Sequence, residues 1–450
     1  MTLREDLERL ADAVPAPPVD PTTWARARRA RRRDRSIVAA AALLTIIGIG
    51  AVLVGVPGTP RAETASTSPV TGVPDRLRPV PPHVLESGTA SGRGWEVTDD
   101  PAIGVGVAAW VQNARHPVVV GVDGDYHVLR LPGFLGDLWG EATRQDAGLT
   151  LSPSGTKVAY AWGDRGRDGV IDRSGLAVMN LETGRLTAYA LKGAAGTAVS
   201  AIAWSPNEGL IGWEGQQFDA ATPNGLSGAR PVAGVIDYRL DDVGPSLDVA
   251  GLGAVSVDDA GTVVVAATGR LTSISGRQVS TRRFDGPSEP RIAASPRNAV
   301  GWSVVGAFNT RSLDYLDQDD RRRRVPLQIP AGTDWDIAPV GWNGYDAIVA
   351  TREYADDGQV SSHLRAVDTR TGRTRIVGDA EVGGPTSGFL SIATDRIVPR
   401  AITVPAGPAP DWPAAGPGVA GLAWRVGLAL ALVSGLVAAM RRRRHRTPSL

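Results

Sequence analysis

Two long apolar segments interrupt an otherwise mixed pattern of hydrophobic and polar positions. Residues 37–56 carry no charge, and residues 418–440 carry only Arg425, which lies near the start of that segment. Because an α-helix rises about 1.5 Å per residue, twenty residues span the roughly 30 Å hydrocarbon core of a bilayer. The pattern predicts a transmembrane helix over each segment, with Arg425 reaching the headgroups. A secretory signal peptide is the alternative for the first segment, but its apolar run is usually only about 7–15 residues long.

Arginine clusters flank both apolar segments and predict their orientation. Arg31, Arg32 and Arg33 precede the first segment, and the second is followed directly by Arg441, Arg442, Arg443 and Arg444. Positive charge favours the cytoplasmic side of a membrane. We therefore expect the arm over 1–36 and the tail over 441–450 to be cytoplasmic, and the chain between the two helices to be extracytoplasmic.

The region between the predicted helices divides into a body and two linkers. Residues 57–93 are rich in Pro, Thr and Ser, and residues 405–417 in Pro, Gly and Ala, which predicts extended tethers. Residues 94–404 show short apolar runs bounded by Gly, Pro, Asn and Asp, such as 118–122 and 157–162. No pattern with the period of a helix is sustained there, so the body is predicted to be all-β.

A recurring turn refines this prediction. The motif Ser152-Pro153-Ser154-Gly155 precedes an apolar run, and related turns recur every 47 residues or so, with markers at positions 111, 152, 205, 257, 295, 343 and 393. A hairpin motif ending in Thr-Gly-Arg follows at 180–185 and again at 368–373. A repeated four-strand unit of this length is typical of a β-propeller. We predict six to seven blades, with a strand near 94–97 completing the last one.

The combination of the Ser-Pro-x-Gly turn, an apolar strand and the Thr-Gly-Arg hairpin resembles the blades of TolB-like and WD-repeat propellers. The resemblance extends over about 95–399. It implies a β-propeller, and together with the two apolar segments the predicted architecture is all-β, a six- to seven-bladed β-propeller between two transmembrane helices. Because one propeller fold serves many functions, the resemblance implies a fold and not an activity.

Charge is unevenly distributed along the chain. The chain has 48 Lys and Arg residues against 47 Asp and Glu residues, a formal net charge of +1. The two ends hold the positive excess, so residues 37–440 have a net charge of −7. An acidic body argues against direct binding of nucleic acid. The chain has no cysteine, which excludes disulfides, a thiol nucleophile and Cys-ligated zinc.

Motifs for catalysis and cofactor binding are sparse. The sequence contains no G-x-S-x-G elbow, no phosphate-binding P-loop and no H-E-x-x-H motif. Its five histidines are isolated from one another, and we expect single loop histidines to be solvated. The sequence therefore predicts neither an enzyme nor a cofactor. A propeller hydrolase with acids from different blades is the less favoured alternative.

One acidic stretch resembles part of a calcium-binding loop. Asp164 and Asp168 stand at the first and fifth positions of such a loop, Gly169 stands at the sixth, and Asp172 follows. Gly175 replaces the carboxylate required at the twelfth position. A polar hairpin insertion is therefore favoured over a cation site.

Two further features have both a functional and a structural interpretation. The run 321–324 of four arginines follows three aspartates and would suit an anionic wall polymer, although a self-compensated, solvated turn is favoured. The tryptophans of the body would suit stacking on a carbohydrate. Most of them stand within strand patterns, which favours packing in the core.

The N-terminal arm is predicted to contain a short amphipathic helix. Leu3, Leu7 and Leu10 form one apolar stripe, and a capping box opens the helix at Thr2. The string LREDLERLADAVPAPP, followed by RARRARRR, resembles the arms of sigma-associated and anti-sigma membrane proteins of GC-rich Gram-positive bacteria. The resemblance implies a sigma factor as a cytoplasmic partner. An inert topological leader is the alternative.

These features together predict a two-pass cell-membrane protein that displays a β-propeller outside the cell. We expect the propeller to act as a binding, sensing or scaffolding module for an envelope protein or a wall polymer. The alternative function is transmembrane regulation of a sigma factor through the arm.

Overall fold

Short apolar runs form strands throughout the part of the chain that the structure describes. This computed structural model describes residues 72–413 except for short segments, namely 87–89, 114, 137–147, 166–170, 194–195, 223–224, 284–290, 295–299, 304–311, 317–321, 329–332, 356–359, 383–389 and 397–402. The predicted helices over 37–56 and 418–440 lie outside the described residues, as do the arm and the tail. None of the helices in the described residues has the length and apolarity needed to span a bilayer.

The first described residues form two short strands, one helical turn and five further strands. The helical turn begins at Pro82, whose fixed φ suits the first position of a helix. The elements are β1 Val73–Pro74, β2 Arg76–Leu77, α1 Pro82–Leu85, β3 Ala90–Gly92, β4 Trp95–Thr98, β5 Gly106–Gln112, β6 His116–Gly121 and β7 Tyr126–Leu129.

The next strands form five regular blades, by which we mean antiparallel sheets whose main strands come from one continuous stretch of chain. Blade 1 contains β8 Leu149–Leu151, β9 Lys157–Arg165, β10 Ile171–Asn180 and β11 Leu186–Ala190. Blade 2 contains β12 Thr197–Trp204, β13 Leu210–Gln217, β16 Arg230–Asp237, β17 Asp242–Val243 and β18 Leu247–Asp248. Between β13 and β16, the strands β14 Ala220–Thr222 and β15 Gly225–Ser227 form a separate two-stranded hairpin.

The remaining three regular blades have four strands each. Blade 3 contains β19 Gly253–Val257, β20 Val263–Ala267, β21 Arg270–Ser275 and β22 Gln278–Arg283. Blade 4 contains β23 Arg291–Ala294, β24 Val300–Ser303, β25 Ser312–Leu316 and β26 Arg322–Pro326. Blade 5 contains β27 Thr333–Asn343, β28 Asp346–Ala355, β29 Val360–Asp368 and β30 Thr374–Ala380, with β2 added in parallel to the outer edge of β30.

A composite sheet joins the two ends of the body, and we call it the closing sheet. After blade 5 the chain forms β31 Ser391–Ile392, a 3-10 turn over Thr394–Arg396 and β32 Thr403–Val404. The closing sheet has the order β3-β4-β7-β6-β5-β31. In it, β31 pairs antiparallel with β5, and β4, the strand expected near 94–97, pairs in parallel with β7.

The all-β propeller is confirmed, but the predicted count of six to seven blades is wrong, because the described residues form five regular blades. The markers at positions 111 and 393 fall on one sheet, the closing sheet, where Ser391 pairs with Ala109. Position 111 precedes the turn between β5 and β6, whereas 152, 205, 257 and 343 mark the turn after the first strand of a blade. The marker count therefore included the same sheet twice, and that sheet is not a continuous four-strand repeat.

The core is divided among the interfaces between neighbouring sheets. In the described residues, six apolar clusters are present, each built by two successive sheets around the ring. Within β5, Trp110 packs in the cluster toward blade 5 and Val111 in the cluster toward blade 1. This follows from the alternation of side chains along a strand, because a sheet between two others must bury both faces. The closing sheet thus completes the ring.

The predicted tether over 57–93 is packed against the body in its described part. Val73, Leu77, Val80 and Val84 are each at most 1% exposed and join the cluster between the closing sheet and blade 5. The amide of Gln112 fixes this segment, because its Oε1 accepts a hydrogen bond of 2.8 Å from the Val80 N–H. Residues 72–86 are therefore not an extended tether but a segment docked on the body, which we call the strap. The packed region thus begins upstream of the predicted boundary at residue 94.

Blade 5 contains a buried ion pair. The Arg365 Nε lies 2.6 Å from Glu353 Oε1, and both side chains are about nine-tenths buried. Thr351 Oγ1 donates a 3.0 Å hydrogen bond to the same carboxylate. The Arg365 guanidinium also lies 4.3 Å from the centroid of the Trp335 ring, a cation–π distance. The charge of Arg365 is thus compensated on two sides.

Candidate functional site

The repeated turns of the sequence are closed by their own polar side chains. In blade 1, Ser152 Oγ accepts a 3.2 Å hydrogen bond from the Lys157 N–H. In blade 2, Ser205 Oγ accepts one of 3.0 Å from Leu210 N–H, and in blade 3, Asp258 Oδ1 accepts one of 2.7 Å from Thr262 N–H. The repeat therefore has a local cause, since Ser and Asp satisfy backbone donors in tight turns.

The same turns are bonded to one another across the blades. Lys157 Nζ lies 2.9 Å from Glu208 Oε2, which joins the turns of blades 1 and 2, and the Ser154 N–H also donates to Glu208. The Asn207 N–H donates a 2.9 Å hydrogen bond to Asp259 Oδ1, which joins blades 2 and 3. We call the surface formed by the turns after the first strand of each sheet, together with the adjacent hairpin turns, the turn face.

The closing sheet contributes to the turn face through the 3-10 turn that follows β31. The Asp395 N–H donates a 3.0 Å hydrogen bond to the Pro153 carbonyl, and Arg396 Nε donates one of 3.0 Å to the Ser154 carbonyl. Four consecutive sheets are thus connected at this end of the ring. Their turns are held in a fixed relative position, which favours recognition of a partner by a preformed surface.

Two carboxylates of the turn face have pKa values that shift in opposite directions. Burial acts to raise the pKa of Glu208, but the hydrogen bonds from Ser154 and Lys157 and the Lys157 charge together lower it below the ordinary value. Burial raises the pKa of Asp395, the Glu208 charge raises it further, and Arg396 opposes both. Glu208 is therefore kept as an anion that accepts hydrogen bonds.

Replacing Glu208 by glutamine is expected to lower stability at neutral pH by about 1–2 kcal/mol, because the ion pair is mostly buried. A lowered pKa contributes stability that is present above the unfolded-state pKa and is lost as the pH falls through the folded-state value. The thermal midpoints of the variant and the wild type should therefore differ at pH 7 and converge at an acidic pH below the lowered folded-state pKa of Glu208. Asp395→Asn is the control, and it is not expected to lose stability at pH 7. An unchanged difference at both pH values would contradict the assignment.

Two large apolar side chains are exposed on hairpin and blade turns of the turn face. Leu240, between β16 and β17, is 75% exposed, and Tyr345, between β27 and β28, is 48% exposed. The Asp237 carboxylate fixes the first turn by accepting a 3.0 Å hydrogen bond from the Leu240 N–H. The Tyr238 N–H of the same hairpin donates one of 2.9 Å to the Gly209 carbonyl in the turn of blade 2.

Tyr345 is held from the neighbouring hairpin of blade 5. Its carbonyl accepts a 2.7 Å hydrogen bond from Thr369 Oγ1, and the Arg370 guanidinium lies 4.8 Å from its ring centroid. Hydrogen bonds from the Arg370 backbone and side chain lower the pKa of Asp368, which keeps that carboxylate ionised beneath the arginine. Tyr and Arg are the residue types that most often dominate the binding energy of an interface.

The structure describes the weak calcium candidate of the sequence only in part. Asp164 Oδ2 lies 2.7 Å from Arg173 Nη2, so this carboxylate is paired with an arginine. Asp168 lies outside the described residues, and the side chain of Asp172 is likewise not described. Among the residues that are described, no group of three or more His, Asp or Glu side chains has the geometry of a metal site. The described residues therefore do not test this weak candidate, over which the sequence favours a polar hairpin insertion.

The other predicted site residues are found in separate places. Arg324 forms a bidentate pair with the buried Asp314, at 2.9 and 3.1 Å, while Arg321 lies outside the described residues. The partner-binding leucines and the topology arginines also lie outside the described residues: Leu3, Leu7, Leu10, Arg31, Arg32, Arg33, Arg441, Arg442, Arg443 and Arg444. These predictions are not tested by the structure.

Five tryptophans on described strands belong to the core. Trp110, Trp213 and Trp335 are at most 1% exposed, and Trp204 and Trp342 are less than 10% exposed. None of these five rings offers a face for stacking on a sugar. Core packing is therefore the interpretation that fits them.

The expectation that single histidines are solvated fails for His127. This residue lies on β7, is 7% exposed, and its Nδ1 lies 2.8 Å from Glu96 Oε1 on β4. Its Nε2 is buried and has no hydrogen-bond partner within the described part of the chain. The sequence signal for this burial was the order Tyr126, His127, Val128, in which His127 stands between two residues that favour strands. That order indicates a strand and not a loop at His127.

Comparisons with known proteins do not identify a family for this chain. No protein-family model and no curated protein sequence matches the chain. Among solved structures, it is similar to a Synechocystis ACO mutant (10% identity, 64% of this chain and 74% of that one, TM-score 0.37). It is also similar to an acylaminoacyl peptidase of Pyrococcus horikoshii (12% identity, 59% of this chain and 41% of that one, TM-score 0.36). A third similar structure is an oligogalacturonate lyase in complex with manganese (12% identity, 52% of this chain and 65% of that one, TM-score 0.32). At these identities, none of the three assigns an activity to this chain.

Proposed function

We propose that the protein is a membrane-anchored, extracytoplasmic β-propeller that acts as a binding, sensing or scaffolding module, and that the turn face contacts its partner. The carrying observation is the exposure of Leu240 and Tyr345 on turns fixed by hydrogen bonds. A rigid surface loses little conformational entropy when it binds, and exposed aromatic and aliphatic side chains supply the apolar contact. An envelope protein fits this chemistry better than a wall polymer. The module is proposed to be non-enzymatic.

The arrangement of the two end segments supports anchoring by two spans. β1 pairs in parallel with β32, and the Trp412 ring lies 5.7 Å from Trp95 and 5.6 Å from Tyr126 in the closing sheet. The segments that lead from the two predicted spans therefore meet on one part of the propeller. Only four residues separate Pro413 from the span predicted to begin at residue 418, and four extended residues reach at most about 14 Å.

Single cysteines test the proposed topology, because the chain has none of its own. We expect a membrane-impermeant maleimide to label Thr183→Cys, an exposed position in the blade 1 hairpin, in intact cells. Thr22→Cys in the arm and Thr447→Cys in the tail should be labelled only after the membrane is permeabilised. Labelling of all three positions in intact cells, or of none, would contradict a two-pass protein with an external propeller.

Substitution of both exposed side chains tests the binding face. We expect Leu240→Glu combined with Tyr345→Ala to remove most of the envelope proteins that crosslink to the full-length protein, as quantified by mass spectrometry. Val360→Ser is the matched control, because Val360 is 50% exposed at the beginning of β29, at the opposite end of that strand from the turn face. Equal loss of partners in the control, or no loss in the double variant, would reject the turn face as the contact surface.

The alternative, regulation of a sigma factor through the arm, is decided by the same measurement. Alanine at Leu3, Leu7 and Leu10 would remove a cytoplasmic partner if the arm binds one, and would leave the envelope partners in place. An unchanged set of partners would leave the arm as a topological leader.

A further inference from the structure

The outer hairpin of blade 3 presents an open strand edge. β21 and β22 are joined by a two-residue turn, and Gly276 takes the positive φ of +59° that the first central position of a type II′ turn requires. In a hairpin of this type, the two residues that flank the turn are hydrogen-bonded to each other through their backbones. Beyond them, pairs without such hydrogen bonds alternate with hydrogen-bonded pairs. The backbone N–H and C=O groups of Val279, Thr281 and Arg283 are therefore directed away from β21.

Other edges of the ring are shorter or are covered. The outer strand of blade 5 is covered by β2, and the outer side of the closing sheet ends in the three-residue β3. Blade 2 ends in two strands of two residues, and the edge strand of blade 4 contains Pro326. Of the outer edge strands to which no further strand is added within the described residues, β22 is the longest, with six residues and no proline, against five residues in β11 of blade 1. Such an edge is a template for an added strand.

The edge of β22 is also strongly basic. Residues 270–283 contain four arginines and no acidic residue, although the body as a whole is acidic. Arg270 stands directly opposite Arg283 in the β21–β22 register, so both side chains project from the same face. Like charges in such a pair repel each other, and an anion between or beside them would relieve the repulsion. Arg277, in the turn, adds an exposed positive charge at the other end of the strand.

We propose that the edge of β22 binds an extended acidic segment of a partner protein, which adds to blade 3 as a further strand. The backbone of the segment pairs with Val279, Thr281 and Arg283, and its carboxylates pair with Arg270 and Arg283. Backbone pairing supplies affinity and the side chains supply selectivity in recognition of this kind. An anionic polysaccharide would use the arginines but would have no use for a row of backbone groups, which is why a peptide is the favoured occupant. This surface includes neither Leu240 nor Tyr345.

Two labelled peptides of equal charge test the proposal on the purified full-length protein by fluorescence anisotropy. The first alternates glutamate and threonine, and the second has the same sequence with each glutamate N-methylated, which removes the backbone donors of the residues that would face β22. We expect the first peptide to bind at least about tenfold more tightly than the second, because only the first can complete a strand. Equal binding of the two peptides would show a site for polyanions and would overturn the strand pairing.

Variants of the protein locate the binding. We expect Arg270→Glu with Arg283→Glu to abolish binding of the glutamate–threonine peptide, and Val279→Pro to weaken it at least about tenfold by removing one outward N–H. Arg185→Glu is the matched control, because Arg185 lies in the equivalent hairpin of blade 1, and it should bind like the wild type. An equal loss with Arg185→Glu, or no loss with the Arg270 and Arg283 variant, would overturn the proposal, as would failure of the wild type to bind the first peptide.

Discussion

Replacing Glu353 by alanine is expected to lower the free energy of unfolding by about 3–5 kcal/mol, the range measured when one partner of a buried ion pair is removed. The Arg365 guanidinium would stay nine-tenths buried with the Trp335 ring as its remaining compensation. A ring quadrupole offsets only part of the cost of keeping a charge out of water. Urea unfolding of the purified protein, followed by tryptophan fluorescence, measures the loss.

A double variant separates the cost of the unpaired charge from the cost of lost packing. Glu353→Leu combined with Arg365→Met removes both charges at similar volume, and we expect it to recover most of the stability lost in Glu353→Ala. A double variant as unstable as the single one would show that packing of the two side chains, and not an uncompensated charge, sets the cost.

Alanine at Gly155 is expected to destabilise the protein by about 3 kcal/mol or more, through strain and overlap together. Gly155 has a φ of +78°, and a Cβ there would overlap the carbonyl oxygen of Gly106, at the beginning of β5. The Gly155 carbonyl also accepts a 2.8 Å hydrogen bond from the Gly106 N–H. The substitution therefore forces apart the turn of blade 1 and the closing sheet.

Gly124 provides the control for backbone strain alone. It has a similar φ of +86° in the turn between β6 and β7, and a Cβ there would have no atom within 4 Å. Gly124→Ala should therefore cost only about 1–2 kcal/mol. Thermal unfolding of both variants gives the difference, which reports the close approach of the two backbones. Equal losses would mean that the turn and β5 can separate without cost.

The fold was predictable because its signals are local. Ser152, Ser205 and Asp258 each close their own turn, so the repeat could be recognised without knowledge of any distant contact. The number of blades was not predictable in the same way. Pairing of β31 with β5 joins positions almost three hundred residues apart, and a two-residue strand has no periodicity to detect.

The candidate binding face was predictable only in part, for a related reason. The motif identified the turn that contains Ser154, but the contact from Lys157 to Glu208 depends on how two blades meet. The packed strap over 72–86 was misread because Pro-rich composition is shared by free tethers and docked segments. Burial of Val73 and Leu77 follows from apolar surface offered by blade 5 and the closing sheet, which the strap's own sequence does not reveal.

The closing sheet has a consequence for the order of events during synthesis. Its strands come from the beginning of the body and from residues 391–392, so the sheet cannot be completed until nearly the whole propeller has emerged. Until then, the apolar face around Trp110 lacks part of its cover, because its cluster includes Ile392 of β31. Contacts of such high sequence separation form slowly and leave partly folded chains prone to aggregation. Folding of this protein should therefore depend on assistance late in synthesis, after blade 5 has been made and before β31 follows.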